Sequence, residues 1–178
     1  MTDPAVIRAF TPDDAEAFRA LRLEALSADP EAFGNAPADE CLVPMETVAA
    51  RLGAGHTFGA FHGTLPVGMA GFLAQSGEKR RHKGLVWGVY VRADWRGRGL
   101  AGRLVDRVMA HAASRVELLH LSVVAGNEAA RRLYERKGFE AYGLERRALR
   151  LGDRYVDEIL MVHMFDGPPA PGGPEGPI

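Results

Sequence analysis

The chain has 178 residues, 47% of them hydrophobic and 25% charged, with a formal net charge of −1 at pH 7. That balance suits an ordinary soluble globular protein with a substantial core, and it gives no whole-molecule electrostatic case for nucleic acid or an anionic membrane. No apolar run approaches the roughly 20 residues of a membrane helix. MTDPAVIRAF carries acid and proline where a signal peptide needs a basic flank and an apolar stretch, so a cytoplasmic location is expected. A lone Cys41 allows no internal disulfide and no cysteine-rich metal site.

In chain order, Val6 to Phe10 alternates as a short strand. Thr11-Pro12-Asp13-Asp14 then supplies an N-cap, a proline at the first helical position and acid in the first turn. The helix that follows buries Phe18, Leu21 and Ala25 and ends near Ala28-Asp29-Pro30. A loop of small residues leads to a shorter helix near Met45 to Leu52, with Val48 and Leu52 on one face. His56 to His62 and Val67 to Ala74 read as two strands joined at Gly63-Thr64. After the basic loop QSGEKRRHKG, Leu85 to Val91 reads as a central strand interrupted by Gly88, a mark of a bulge or a close backbone approach.

Leu100, Leu104, Val105, Val108, Met109 and Ala112 form one stripe of a helix from Gly99 to about Arg115. Leu118 to Val124 is a strand, and Asn127 caps a helix that Gly138 ends. Two strands close the pattern, Phe139 to Leu151 and Arg154 to His163, turning at Gly152-Asp153. Met109, Met161 and Met164 are expected in the core. The final stretch DGPPAPGGPEGPI has no core-forming pattern and is expected to be disordered. The order β-α-α-β-β-β-α-β-α-β-β predicts one α+β domain over residues 1–165 and a Pro/Gly-rich tail over 166–178.

The stretch VRADWRGRGLAG contains a literal G-x-G-x-x-G at Gly97, Gly99 and Gly102. A dinucleotide fold needs the strand to run almost directly into the first glycine, near the domain start, with a ribose-binding acid closing the next strand. Here Arg92 to Arg96 intervene, and Glu117 opens the next strand instead of closing it. The other frame, R-x-x-G-x-A from Arg96 to Ala101, is physically sound. Amides at the start of the Gly99 helix lack helical partners and carry the positive end of its dipole, which suits a diphosphate. Gly97 and Gly99 let phosphate oxygens approach the backbone, and Arg96 and Arg98 add charge suited to bidentate contact.

A second motif, VVAGNEAARRLYERKGF, follows a strand and sets Asn127, Ala130 and Tyr134 at N-x-x-A-x-x-x-Y along one side of a helix. Together the two motifs resemble the GNAT superfamily of acetyl-CoA-dependent N-acetyltransferases. The likeness in element order covers residues 5–165, with the diagnostic motifs within 85–139. It implies a mixed, splayed central sheet of about seven strands flanked by about four helices.

The resemblance also implies roles. Backbone amides of Arg96, Gly97, Arg98, Gly99, Leu100, Ala101 and Gly102 would hold the coenzyme A pyrophosphate. Pantetheine would pair with the exposed edge of Val89, Tyr90 and Val91, where an amide would stabilise the oxyanion. Asn127, with Ala130 beside it in the motif, would hydrogen-bond the pantetheine arm, and Tyr134 would face the sulfur as general acid. Proton transfer from a phenol to a thiolate is uphill by roughly 2 kcal/mol unless the site lowers the phenol pKa, for which the helix end or Arg131 is the candidate. Tyr134 as a core aromatic and Asn127 as a simple N-cap are the structural alternatives.

The acceptor amine must lose a proton, at a cost of about 4.6 kcal/mol for a primary amine at pH 7. Many family members place a glutamate on the strand before the phosphate loop, but this chain has Trp87, Gly88 and Tyr90 there. His120, Glu158, Asp157 and His82 remain as candidate bases. Arg131, Arg132, Arg136 and Lys137 are placed to meet the adenosine 3′-phosphate or to form a solvated face. The scattered histidines have no metal-ligand spacing, so no metal is expected. RYVDEILMVHM resembles the closing strand of members acting on small amines and amino-acid-like compounds, which favours a small-molecule amine acceptor over a protein N-terminus or lysine. A non-catalytic acyl-CoA binder is the other class of reading, supported only by the missing strand carboxylate. Homodimers are common in the family, and nothing in this sequence fixes the oligomeric state.

Overall fold

A computed structural model describes residues 5–167. Seven strands form one sheet in the order β1-β2-β3-β4-β5-β7-β6. The strands are β1 (Val6–Ala9), β2 (Thr57–His62), β3 (Leu65–Ala74), β4 (Lys83–Val91), β5 (Leu118–Val124), β6 (Glu140–Leu151) and β7 (Arg154–Met164). Five α-helices accompany them: α1 (Ala15–Ala28), α2 (Pro37–Leu42), α3 (Met45–Gly53), α4 (Leu100–Ala112) and α5 (Glu128–Arg136). The tail expected to be disordered lies, from residue 168 onward, outside the described residues.

Strand alternation divides the core between the two faces of the sheet. On one face α1 and α3 bury Phe18, Leu21 and Leu52 against Phe10, Phe61 and Met69. On the other, α4 buries Leu104, Val105 and Val108 against Phe58, Phe72 and Leu119. The α4 stripe is buried as its spacing predicts except at Met109, which is half-buried at the edge of the core, and Met161 is fully buried. Met164 is not in the core: it ends β7 with 65% of its surface exposed, past the last helix-covered position.

Helix α1 is launched by reciprocal bonds. Thr11 N–H donates to Asp14 at 2.8 Å while Asp14 N–H donates to the Thr11 carbonyl at 3.0 Å. Arg8 grips both oxygens of Asp14, at 2.7 and 2.9 Å, and holds its carboxyl well below the usual carboxylate range. Helix α2 is an element the sequence pattern did not disclose. It is one short turn and a half, opened by Pro37, with the Ala36 N–H donating to Asp39 at 3.4 Å.

The decisive irregularity lies at β4. Met69 faces Tyr90 and Gly71 faces Trp87, so β4 spends three steps where β3 spends two. Gly88 absorbs the extra residue at φ +66°, a conformation open to glycine and strained for other residues. On its other edge β4 runs parallel to β5 only over Lys83, Gly84 and Leu85, opposite Leu118, Leu119 and His120. Beyond that point the two strands part.

At the start of β2 and the last turn of α4, His56 and His111 face one another, Nδ1 to Nε2, at 2.8 Å. Burial first, then the nearby Arg115, lowers both pKa values, that of His111 to about 4. The folded state therefore favours neutral imidazoles, while the unfolded chain binds protons below about pH 6.5. Stability is full above that value and is lost as pH falls from about 6.5 toward 4. The Asp14 contribution is lost only at lower pH. We expect the melting temperature to drop across the histidine window and His111→Phe to flatten that drop, as read by calorimetric scans at successive pH values.

Candidate active site

The parting of β4 from β5 opens a cleft of about 760 Å³, lined by Val89, Tyr90 and Val91 on one side and by Asn127, Ala130 and Tyr134 on the other. Arg96 and Ala101 line it from the loop and from the first turn of α4. Arg92 N–H donates to Val67 on β3, so by alternation the polar groups of Val91 face away from β3 and into the opening.

The loop is shaped by two left-handed glycines, Gly97 at φ +77° and Gly99 at φ +74°. A Cβ added at either position would meet open space, so both serve the backbone turn and leave room above it. Among the described residues, none of the amides from Gly97 to Gly102 donates to a protein acceptor; the first bond of α4 runs from Arg103 N–H to Gly99. That is a row of bare donors at the positive end of a helix, the arrangement that binds phosphate. Leu100 is buried beneath it, and Gly102 packs α4 against Leu133 and Lys137 of the α5 region.

The arginine side chains do not join this row, contrary to the bidentate contact expected of them. Arg96 donates through Nε to the Val91 carbonyl at 2.9 Å and through its guanidinium to Asp29 at 2.7 Å, and its amide donates to Ala93. Arg98 donates to the Asp94 carbonyl at 3.1 Å and lies over the Trp95 ring. Both brace the loop, and an anion there would meet backbone. On α5, Arg131 pairs with Glu135, and Lys137 just beyond it pairs with Asp106 on α4, whereas Arg132 and Arg136 make no ion pair among the described residues.

Asn127 caps α5 by accepting from Ala130 N–H at 3.1 Å. Tyr134 is buried, packed edge-on to Phe139 at 5.9 Å, and makes no protein hydrogen bond through its hydroxyl among the described residues. Burial pushes its pKa up to about 12. This reverses the expected lowering: Arg131 is an exposed side chain paired with glutamates, and the helix end is no match for desolvation.

A second cavity of about 250 Å³ adjoins the cleft, and Val89, Asn127, Ala130 and Tyr134 line both. Of the four candidate bases, Glu158 alone lines it; it faces Val124 across β5 and β7. Asp157 is occupied by the Arg147 amide at 2.8 Å. His120 sits two residues before Ser122, which lines the cavity, but packs against Tyr142 with its pKa lowered chiefly by burial. His82 belongs to the basic loop, where its carbonyl accepts from Glu117.

Three residues that sequence reasoning missed also shape this cavity: Arg22 of α1, Phe33 of the α1–α2 connection, and Glu40 of α2 behind Arg22. One signal was available. Arg22 falls between Phe18 and Ala25 on the buried stripe of α1, where a charge needs a reason. The β6–β7 hairpin touches the same α1–α2 connection, with Arg154 contacting Glu31 and Leu149 approaching Gly34.

A splayed sheet, a bare helix mouth and a buried phenol meet at one cleft, and the cavity that adjoins it is lined by one cation, Arg22, and one carboxylate, Glu158. The chain belongs to the acetyltransferase (GNAT) family, whose model matches residues 16–139. No curated protein sequence matches it. Among solved structures it is similar to a GNAT-family acetyltransferase from Streptococcus pneumoniae, at 24% identity and a TM-score of 0.81, covering 91% of this chain and 99% of the other. It is also similar to a ribosomal-protein-alanine N-acetyltransferase from Brucella melitensis, at 26% identity and a TM-score of 0.76, covering 90% and 99%. A Salmonella typhimurium protein solved with its cofactor acetyl-CoA has the same fold, at 21% identity and a TM-score of 0.80, covering 96% and 99%.

Replacing Gly88 by alanine forces an L-residue into the left-handed region at the bulge. We expect a loss of about 1–2 kcal/mol of stability, read from the urea midpoint at constant m-value.

Proposed function

We propose that the protein transfers an acetyl group from acetyl-CoA to the primary amine of a small molecule, by direct attack in the cavity beside Tyr134. The observation that carries this reading is the set of unpartnered amides from Gly97 to Gly102 at one end of the cleft, with the opened β4 edge leading from it to the cavity. Residues 1–165 are read as one catalytic domain, and a cytoplasmic location is part of the proposal.

The fit to acetyl-CoA rests on three features of this chain. The bare amides suit a pyrophosphate. The edge of Val89 to Val91, which β5 leaves unpaired, suits an extended amide-bearing arm. The open space above Gly97 and Gly99 admits oxygen atoms close to the backbone. When bound, acetyl-CoA supplies an acetyl group activated as a thioester.

The remaining work falls to side chains and backbone. Glu158 accepts the proton that an ammonium must lose before it can attack. An amide of Val89 or Val91 donates to the oxygen that gains charge. Tyr134 donates a hydrogen bond to the departing sulfur. Its pKa near 12 stands well above the ~8.5 of a thiol, so complete proton transfer would run roughly 5 kcal/mol uphill. Tyr134 thus acts as a fixed donor, and solvent completes the protonation. A base inside the cavity weighs against the non-catalytic reading, since an acyl-CoA binder needs no proton acceptor at that place.

The small cavity, about 250 Å³, favours a compact acceptor. The 26% identity to a ribosomal-protein-alanine N-acetyltransferase supports the alternative of a protein N-terminus.

Free-thiol release and acetyl-CoA heat protection test the reading together; protection without thiol release from any amine or peptide would leave a binder. Tyr134→Phe is expected to keep acetyl-CoA protection and to lower kcat about tenfold or more, in the range of one lost donor. Glu158→Gln is expected to lower kcat/KM at neutral pH about 100-fold, with the deficit shrinking as pH rises toward the amine pKa. A deficit independent of pH would remove Glu158 from the role of base.

A further inference from the structure

Arg22 lies on the buried stripe of α1, only 6% exposed, and lines the smaller cavity. Its guanidinium sits between the rings of Phe33 and Trp87, at 5.2 and 5.6 Å from their centroids. Its Nε is 3.7 Å from Glu40, near enough for an ion pair but too far for a hydrogen bond. Its Nη1 is buried without any hydrogen-bond partner among the described residues, 3.5 Å from where a Cβ on Gly88 would stand. Buried partnerless nitrogens also occur on Arg19, His62 and His120, but none of those residues lines either cavity.

A guanidinium carries five N–H donors and stays charged in a protein. Burying it costs several kcal/mol unless the geometry of its pairing is good and its remaining donors are met. Here one distant carboxylate answers that demand only in part. An oxygen acceptor would complete the pairing, and the planar fork of Arg matches a carboxylate in bidentate fashion. The same cavity holds Glu158, whose charge suits an ammonium or amine. A cation and an anion in one small cavity complement a zwitterion.

We infer that Arg22 is the carboxylate-binding residue of the acceptor site and that the acceptor is a free amino acid, its α-carboxylate on Arg22 and its amine toward Glu158. The inference rests on the acetyltransferase reading above and narrows its acceptor class. The position of Nη1 beside the Gly88 bulge accounts for how this works. A carboxylate two bonds from the amine, anchored at the bulge, places that amine next to Val89 and Tyr134, where cavity and cleft join. A peptide N-terminus has an amide at this position and offers Arg22 a neutral oxygen instead.

The test compares free α-amino acids of differing side chain with their decarboxylated amines, such as phenylalanine with phenethylamine and leucine with isoamylamine. Wild-type protein is expected to favour the carboxylated member by at least about tenfold in kcat/KM. In Arg22→Met the ratio should fall to near one. Arg22→Lys should retain part of it, and Glu40→Gln, which removes the competing carboxylate, should raise it. Acetyl-CoA heat protection reports whether each variant is folded. A wild-type ratio near one, an equal loss for both members in Arg22→Met, or preference for peptides would overturn the inference while leaving the acetyltransferase reading intact.

If no amine is turned over, calorimetry on the CoA-loaded protein reads the same preference from N-acetylphenylalanine against N-acetylphenethylamine. Tenfold tighter binding of the acid, abolished by Arg22→Met, would sustain the carboxylate site although catalysis failed. Equal binding, or none, would end it.

Discussion

The separation of β4 from β5 is the constraint on which the rest depends. Three residue pairs hold the two parallel strands together, and past Leu85 and His120 the ladder is abandoned. A sheet gives up hydrogen bonds in its interior only where something else meets the groups exposed. Gly88 makes the abandonment possible, because the extra residue at φ +66° redirects the strand without breaking its pairing to β3. The cleft is therefore encoded by one backbone conformation, and the side chains around it are arranged to exploit an opening that already exists.

Charge is distributed around that opening in an economical way. The arginines of the loop before α4 spend their donors on Val91, Asp29 and Asp94, fixing the loop, while the bare amides beside them have no side-chain entropy to lose. Arg22 is the opposite case. It is anchored by packing between two rings and an ion pair, yet it keeps a donor in reserve. Loop arginines with exposed neighbours can turn to protein acceptors; a buried one hemmed by Phe33 and Trp87 cannot.

Much of this was legible in the residues alone. The α4 stripe, the Asn127 cap, the Gly138 C-terminus and the Gly88 irregularity are local features, set by spacing and by backbone permissiveness within a few positions. Helix α2 escaped notice because six residues carry too little periodicity to rise above a loop of small residues. Its Glu40 matters only through Arg22, a partner eighteen residues away that no local pattern joins to it. Tyr134 shows the same limit in another form. Its place on α5 followed from the motif, but its pKa did not, since burial by surrounding elements outweighs any charge read off its own helix. The diversion of Arg96 toward Asp29 likewise needs the end of α1 brought beside the loop.

A phenol pushed to about 12 in a desolvated position is a weaker acid but a steadier donor. It cannot ionise at physiological pH, so on the proposed reading its hydrogen stays available to a thioester sulfur. Glu158 is a different kind of group, a carboxylate from β7 on the cavity side of the same junction. On the proposed reading, the hydrogen-bond donor and the base stand on two separate elements, α5 and β7. That separation is available only because β4 and β5 have parted, which returns the chemistry to the bulge at Gly88.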